Sequence, residues 1–211
     1  MGKSKDTEPY EKKLYRSQRF LIGELEAFYM EGGNVYKSLR SLCSLLDKES
    51  INYALIGGLA VAEHNAPRTT LDIDILVSEE GLEKFRRFFI GHGYLPKFKG
   101  AKRTFRDTTT GVRIEFVTIG ERAGKFTIPE VAKIEKDGIK IVGLKDLIKL
   151  KLMASVSRED RLKARQDQVD IARLIRVHRL SVNFVNEKEF GRELVKEYQK
   201  LYQDAQTNEE T

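Results

Sequence analysis

Two carboxylates stand two residues apart inside an otherwise apolar run, Leu71-Asp72-Ile73-Asp74-Ile75-Leu76-Val77. The alternation predicts a strand over Leu71–Val77, and a strand sends successive side chains to opposite faces. Asp72 and Asp74 therefore share one face, about 7 Å apart, while Leu71, Ile73 and Ile75 share the other. Carboxylates at that spacing repel each other and resist burial. A divalent cation resolves the conflict, because hard oxygen donors suit Mg²⁺ and its charge offsets both groups. A solvated edge strand with two surface acids has the same pattern, and D-x-D alone is too short to separate the two readings.

The flanking residues separate them. Tyr53-Ala54-Leu55-Ile56 is a short apolar run ending at Gly57-Gly58, a buried strand breaking into a turn before a short helix over Leu59–His64. Glycines at a strand-to-helix turn let backbone N–H groups approach a phosphate, and the helix N-terminus favours negative charge. Arg68 and Thr70 precede Asp72 at alternate positions, giving R-x-T-x-D-x-D. A third acid, Glu115, lies within Val112-Arg113-Ile114-Glu115-Phe116-Val117, an unusual place for a carboxylate without a partner. Three acids on neighbouring strands beside a glycine turn are the equipment of two-metal phosphoryl chemistry.

Around this centre the chain reads as α/β (α+β). Tyr10, Leu14, Leu21, Leu25 and Phe28 recur at helical spacing over residues 10–31, and a second helix runs from Val35 to Lys48. Residues 81–91 form a helix with Leu82, Phe85, Phe88 and Phe89 inward. Residues 103–107 and 112–119 form a hairpin about Thr108-Thr109-Thr110-Gly111, and residues 138–142 add a strand. Helices follow over 144–155, 159–178 and 187–202, with a polar frayed tail from Gln203. The expected architecture is a mixed sheet flanked by helices. It divides into an N-terminal helical arm (1–49), a core (50–143) and a C-terminal helical region (144–211).

The stretch GGLAVAEHNAPRTTLDIDILV resembles the signature of the nucleotidyltransferase superfamily, whose fold is that of DNA polymerase β. Within it the pattern is most similar to small prokaryotic AbiEii-type and MenT-like members, whose motif runs G-G, then H-x-x-x-R-x-T-x-D-x-D. Gly57, Gly58, His64, Arg68, Thr70, Asp72 and Asp74 occupy those places, and the resemblance covers about residues 50–178. Leu59 stands where many members have Ser, and Glu115 where Asp is commoner. The resemblance implies Asp72, Asp74 and Glu115 as catalytic residues holding two Mg²⁺ ions, with Mn²⁺ able to substitute. It implies Gly57, Gly58, Arg68, Thr70, Lys151 and Asp167 as the nucleotide-binding set. The activity implied is transfer of a nucleoside monophosphate from an NTP, such as ATP, to an acceptor hydroxyl on RNA such as tRNA, on protein or on a small molecule. A toxin role with an antitoxin partner is among the family's uses. The alternative is a catalytically inactive nucleotide- or RNA-binding protein of the same fold.

Beyond the motif the readings stay double. Lys151 falls on the apolar stripe of Leu144, Leu147, Ile148 and Ala154, and Asp167 on that of Ala164, Ile171, Leu174 and Ile175. The two either pair structurally or meet nucleotide phosphate. Lys97, Lys99, Lys102, Arg103 and Arg106, interleaved with Phe98 and Phe105, form a solvated hairpin or a grip on triphosphate or RNA. His64 orients the motif or caps a helix, and His178 reads as a core histidine. The 211 residues carry a formal charge of +6, compatible with an anionic substrate but far below a dedicated nucleic-acid binder. No Cys/His cluster suggests zinc, and no G-x-x-x-x-G-K-[ST] loop is present. Cys43 is the lone cysteine, which excludes an intrachain disulfide. No run approaches the roughly 18 apolar residues a membrane span needs. The polar N-terminus is no secretory signal, and Asp6 breaks the myristoylation pattern. The expected setting is cytoplasmic, with no membrane partner.

Overall fold

The computed structural model describes residues 8–66 and 68–207. The described residues begin with three helices, α1 (Tyr10–Arg16), α2 (Gln18–Tyr29) and α3 (Gly33–Lys48). Strand β1 (Tyr53–Ile56) runs into α4 (Gly57–Glu63), then β2 (Asp72–Val77) and α5 (Glu79–Phe89). Next come β3 (Tyr94–Pro96), β4 (Thr104–Asp107), β5 (Arg113–Thr118) and a small hairpin of β6 (Arg122–Ala123) and β7 (Phe126–Thr127). Strands β8 (Lys133–Lys136) and β9 (Ile139–Val142) lead to α6 (Leu144–Ser157), α7 (Arg161–Val177), α8 (Glu187–Phe190) and α9 (Arg192–Thr207).

Among the described residues, seven strands form one mixed sheet in the order β3-β4-β5-β2-β1-β9-β8. Its centre is β2, antiparallel to β1 and parallel to β5. Ile73, Ile75, Ile114 and Phe116 are fully or almost fully buried on one face. Phe85 of α5 packs there, with ring centroids 4.6 Å from Phe116 and 5.2 Å from Phe105. Burying that aromatic cluster contributes several kcal/mol, of order 1.5–3 kcal/mol per large side chain. The opposite face of β2 carries Asp72 and Asp74, and beside it stand α4, α6 and α7.

Several expected elements differ in detail. The single helix over 10–31 is two, because Ser17 is extended (φ −138°, ψ 108°) and its hydroxyl caps α2 by accepting from the Phe20 N–H at 3.2 Å. Phe88 is 39% exposed rather than inward, since Leu82, Phe85 and Phe89 already fill the buried stripe; the Arg87 guanidinium covers its ring instead. Leu25 likewise faces solvent. The short helix starts at Gly57, not Leu59. The last helix is broken at Gly191 (φ +81°), and its second part runs on through Thr207, so residues 203–207 are helical rather than frayed. Residues 208–211 and the N-terminal readings on residues 1–7 lie outside the described residues. Strands β3, β6, β7 and β8 were not expected: they are two to four residues long, and the alternation of so short a run is indistinct.

The N-terminal helices share the sheet's buried core. Tyr10, Leu14 and Phe28 join Leu39, Leu42 and Leu46 of α3 in one continuous cluster with β1, β2 and α6. The Tyr10 N–H donates to Gly111 O at 3.1 Å, tying α1 to the β4–β5 turn. Among the described residues no helix is long and apolar enough to cross a membrane.

Candidate active site

One open cleft of about 500 Å³ lies against the carboxylate face of the sheet. Its floor is the β2–β5 pair, whose register sets Asp72 beside Arg113 and Asp74 beside Glu115. Partners in a parallel pair share a face, so the strand geometry alone gathers Asp72, Asp74, Arg113 and Glu115. Asp74 is also the register partner of Ile56, the residue before the glycine turn.

That turn fits closely around the acids. Gly57 has φ +70°, and a Cβ there would overlap the Asp74 carboxylate. A Cβ on Gly58 would overlap the Arg68 guanidinium, which packs on the start of α4. Both positions therefore require glycine, the first for conformation and space, the second for space. The near ground in front of the turn is occupied by Asp74 and Arg68 themselves.

The two motif aspartates differ in environment. Asp72 is partly buried; its Oδ1 accepts from the Thr70 hydroxyl at 2.7 Å and its Oδ2 from Nη2 of Arg113. Burial works against its charge, but these donors hold its carboxyl below the usual carboxylate range. Asp74 has no such donor. Burial, reinforced by the charges of Asp72 and Glu115, pushes it up to about 7. Glu115 is exposed within the cleft. Carboxylate oxygens placed on one face of neighbouring strands are the donor chemistry that suits a hard divalent ion. Among the described residues, however, no three His, Cys, Asp or Glu side chains stand gathered as a ready-made metal cage. Asp72 is turned to Arg113, which takes one of its two oxygens.

The second wall comes from α6 and α7. Lys151 is 7% exposed, and its Nζ donates to Asp167 Oδ1 and to Asp170 Oδ2, both at 2.7 Å. Arg68 Nε lies 3.4 Å from Asp170 Oδ1, which also accepts from Gln166 Nε2 at 3.0 Å. Arg158 Nε stands 3.1 Å from Asp167 Oδ2. The structural pairing of Lys151 with Asp167 is thus present, and both residues also line the cleft. An ammonium has three donors, and two are used here. Leu150, Met153 and Ala154 of α6, with Val117, Ala123 and Ile128, add apolar lining to the cleft.

The cleft brings together Asp72, Asp74, Glu115, Gly57, Gly58, Arg68, Lys151 and Asp167. Thr70 is buried behind Asp72 and supports it. Sequence reasoning left Arg113, Asp170 and Arg158 out of the site. Arg113 was findable, since it stands two residues before Glu115 on the same strand face; Asp170 lies one helical turn from Asp167. The five basic residues from Lys97 to Arg106 line no part of the cleft. Arg103 pairs with Glu121, Arg106 with Glu11 at 3.3 Å, and Lys97, Lys99, Lys102 and Phe98 face solvent. His64 is buried, and its ring Nε2–H donates to Val142 O at 2.7 Å; burial lowers its pKa. His178 donates to His64 O at 2.7 Å, so both histidines tie α4, β9 and α7 together away from the cleft.

No family model matches the sequence, and no curated protein shows significant similarity to it. The fold does find a likeness. A crystal structure of an antigenic nucleotidyltransferase-like protein from Paracoccidioides brasiliensis superposes with a TM-score of 0.57 at 16% identity, covering 82% of this chain and 89% of that one. The chain therefore has a nucleotidyltransferase-like fold, a mixed sheet flanked by helices.

Proposed function

We propose that this cleft is the active site of a metal-dependent nucleotidyltransferase. The observation that carries the reading is the placement of Asp72, Asp74 and Glu115 on one face of adjacent strands, against a glycine turn, in a fold of this kind. Asp72, Asp74 and Glu115 are the residues that would hold Mg²⁺ or Mn²⁺. Two such ions, when bound, lower the pKa of an acceptor hydroxyl and offset charge on the transferred phosphoryl group.

The chain's own residues do the rest. Thr70 fixes the orientation of Asp72. Arg68, held over Gly58, and Lys151, with its remaining donor, offset negative charge on a triphosphate lying along the turn. The apolar slot between α6 and the β6–β7 hairpin accommodates the flat part of the nucleotide. In the reaction the acceptor hydroxyl gives up its proton to solvent, its oxygen forms a bond to the α-phosphorus of an NTP, the bond to the oxygen bridging to the β-phosphorus breaks, and pyrophosphate leaves. The acceptor is an RNA such as a tRNA, a protein or a small molecule, and growth arrest on expression would mark a toxin with an antitoxin partner.

The test is label transfer. Purified protein is incubated with each α-³²P-labelled NTP, Mg²⁺ and a cellular extract of RNA, protein and small molecules. The reading expects Mg²⁺-dependent labelling of one acceptor class that disappears in Asp72→Asn and Asp74→Asn. Labelling retained in the double variant overturns it. One observation favours a second reading, an inactive nucleotide-binding protein: Asp72 is taken by Arg113 and no ready metal cage exists among the described residues. Nucleotide binding without labelling in any extract, unaltered by Mg²⁺, would select it.

A further inference from the structure

Arg113 is placed unlike the other ion-paired cations of the cleft. Arg68, Lys151 and Arg158 pair with Asp170 and Asp167, acids of α7 outside the carboxylate centre. Arg113 is instead neutralised by Asp72, one of the three acids of the centre itself. The β2–β5 register fixes this pairing by setting the two residues side by side. The guanidinium is only half committed there. Its Nη2 donates to Asp72 Oδ2, whereas its Nε is buried with no hydrogen-bond partner. A buried donor left unmade costs free energy, so this arrangement is poised to change when a better acceptor arrives.

We propose that Arg113 is an exchangeable counter-ion. In the empty protein it stands in for a divalent cation at Asp72, and when the acids bind their ions it is released to a phosphate oxygen of the incoming nucleotide. The inference rests on the nucleotidyltransferase reading of the same cleft. Two features support the exchange. Arg113 and Glu115 lie two residues apart on the same strand face, so the freed guanidinium stays inside the cleft rather than swinging to solvent. Arg113 is also the residue among these four whose carboxylate is claimed by the ions, so it gains an unpaired charge in the step that brings in an anionic triphosphate. A planar, permanently charged fork suits phosphate oxygens by bidentate donation, which a lysine at the same place offers only as a point charge.

The exchange predicts effects of opposite sign from one substitution. Arg113→Met removes the competitor at Asp72, so Mn²⁺ alone should bind about tenfold or more tighter than to the wild type, the order expected when a charge-assisted hydrogen bond no longer has to be broken. The same variant should bind an α,β-methylene NTP with saturating Mn²⁺ about tenfold more weakly, because the phosphate partner is lost. Arg113→Lys should lie between wild type and Arg113→Met in both measurements. Mn²⁺ binding is read by water-proton relaxation and nucleotide binding by calorimetry, and circular dichroism checks that each variant is folded. Equal or weaker Mn²⁺ binding by folded Arg113→Met and Arg113→Lys overturns the inference, as does tighter Mn²⁺ binding with unchanged nucleotide affinity. Wild type that binds Mn²⁺ no better than Asp74→Asn overturns the metal-site reading itself, and the two failures are thereby distinguished.

Discussion

Asp74 meets the strongest electrostatic conflict in the cleft. Its proton affinity is raised by burial and by Asp72 and Glu115, to about 7. The folded state therefore binds a proton that the unfolded chain, with an ordinary aspartate, releases near pH 4. Stability from this group is fully present below about pH 4 and is lost as the pH rises through 7. A tenfold change in proton affinity is worth about 1.4 kcal/mol. Thermal unfolding of the metal-free protein should accordingly show Asp74→Asn melting higher than wild type at pH 8 and at the same temperature at pH 4. Asp72 has the opposite sign: its lowered proton affinity stabilises the fold above the unfolded value and is lost as the pH falls. Added Mg²⁺ should raise the melting temperature more at pH 8 than at pH 5, because below 7 Asp74 holds a proton that the cation must displace. At the glycine turn, Gly57→Ala must leave φ +70° or collide with Asp74, and it should cost at least about 1 kcal/mol in a urea titration. These residues were legible in the sequence because a strand's alternation and a glycine pair are local signals. Arg113 obeyed the same alternation, but an arginine on a strand reads equally well as solvated surface until the β2–β5 register places it against Asp72.

At the scale of elements, α6 and α7 are joined by a buried charge network rather than by apolar contact alone. Lys151 sits between Asp167 and Asp170, and Asp170 is fully buried. Removing the cation would leave the two carboxylates with only the longer contacts to Arg68 and Arg158. Lys151→Met should therefore destabilise the protein by about 3–5 kcal/mol, measured by denaturant unfolding, and adding Asp167→Asn and Asp170→Asn should recover part of the loss. If Lys151→Met unfolds at the wild-type urea concentration, the lysine serves nucleotide alone and the network carries no structural weight. The stripe positions of Lys151 and Asp167 were readable from 3.6-residue spacing. The contribution of Arg68 was not, since it reaches Asp170 from a loop about a hundred residues earlier in the chain. Long elements with strong periodicity, such as α3 and α5, were placed well. The short strands β6 and β7 were not, although their hairpin supplies Arg122, Ala123 and the turn residue Gly124 to the cleft wall.

Across the whole molecule, the helices that precede the sheet are part of its core and not a detachable cover. Leu14 of α1 is 4% exposed and lies in the same cluster as Ile73 and Ile148. Leu14→Ala should cost about 2–5 kcal/mol, and far-ultraviolet dichroism and intrinsic tyrosine fluorescence should still report one shared transition. A separate early transition of the N-terminal helices would contradict a common core. The fold was legible at this scale because the G-G and D-x-D segments fix the order strand, turn, helix, strand; how closely α1 would join the β4–β5 turn was not, because that contact spans about a hundred residues. The central claim is that the cleft binds nucleotide through cations held by Asp72, Asp74 and Glu115. Calorimetric titration with an α,β-methylene NTP, with and without Mg²⁺, tests it most directly. The account predicts binding that requires Mg²⁺ and is lost in Asp74→Asn; binding of equal strength without Mg²⁺, or retained in that variant, would contradict it.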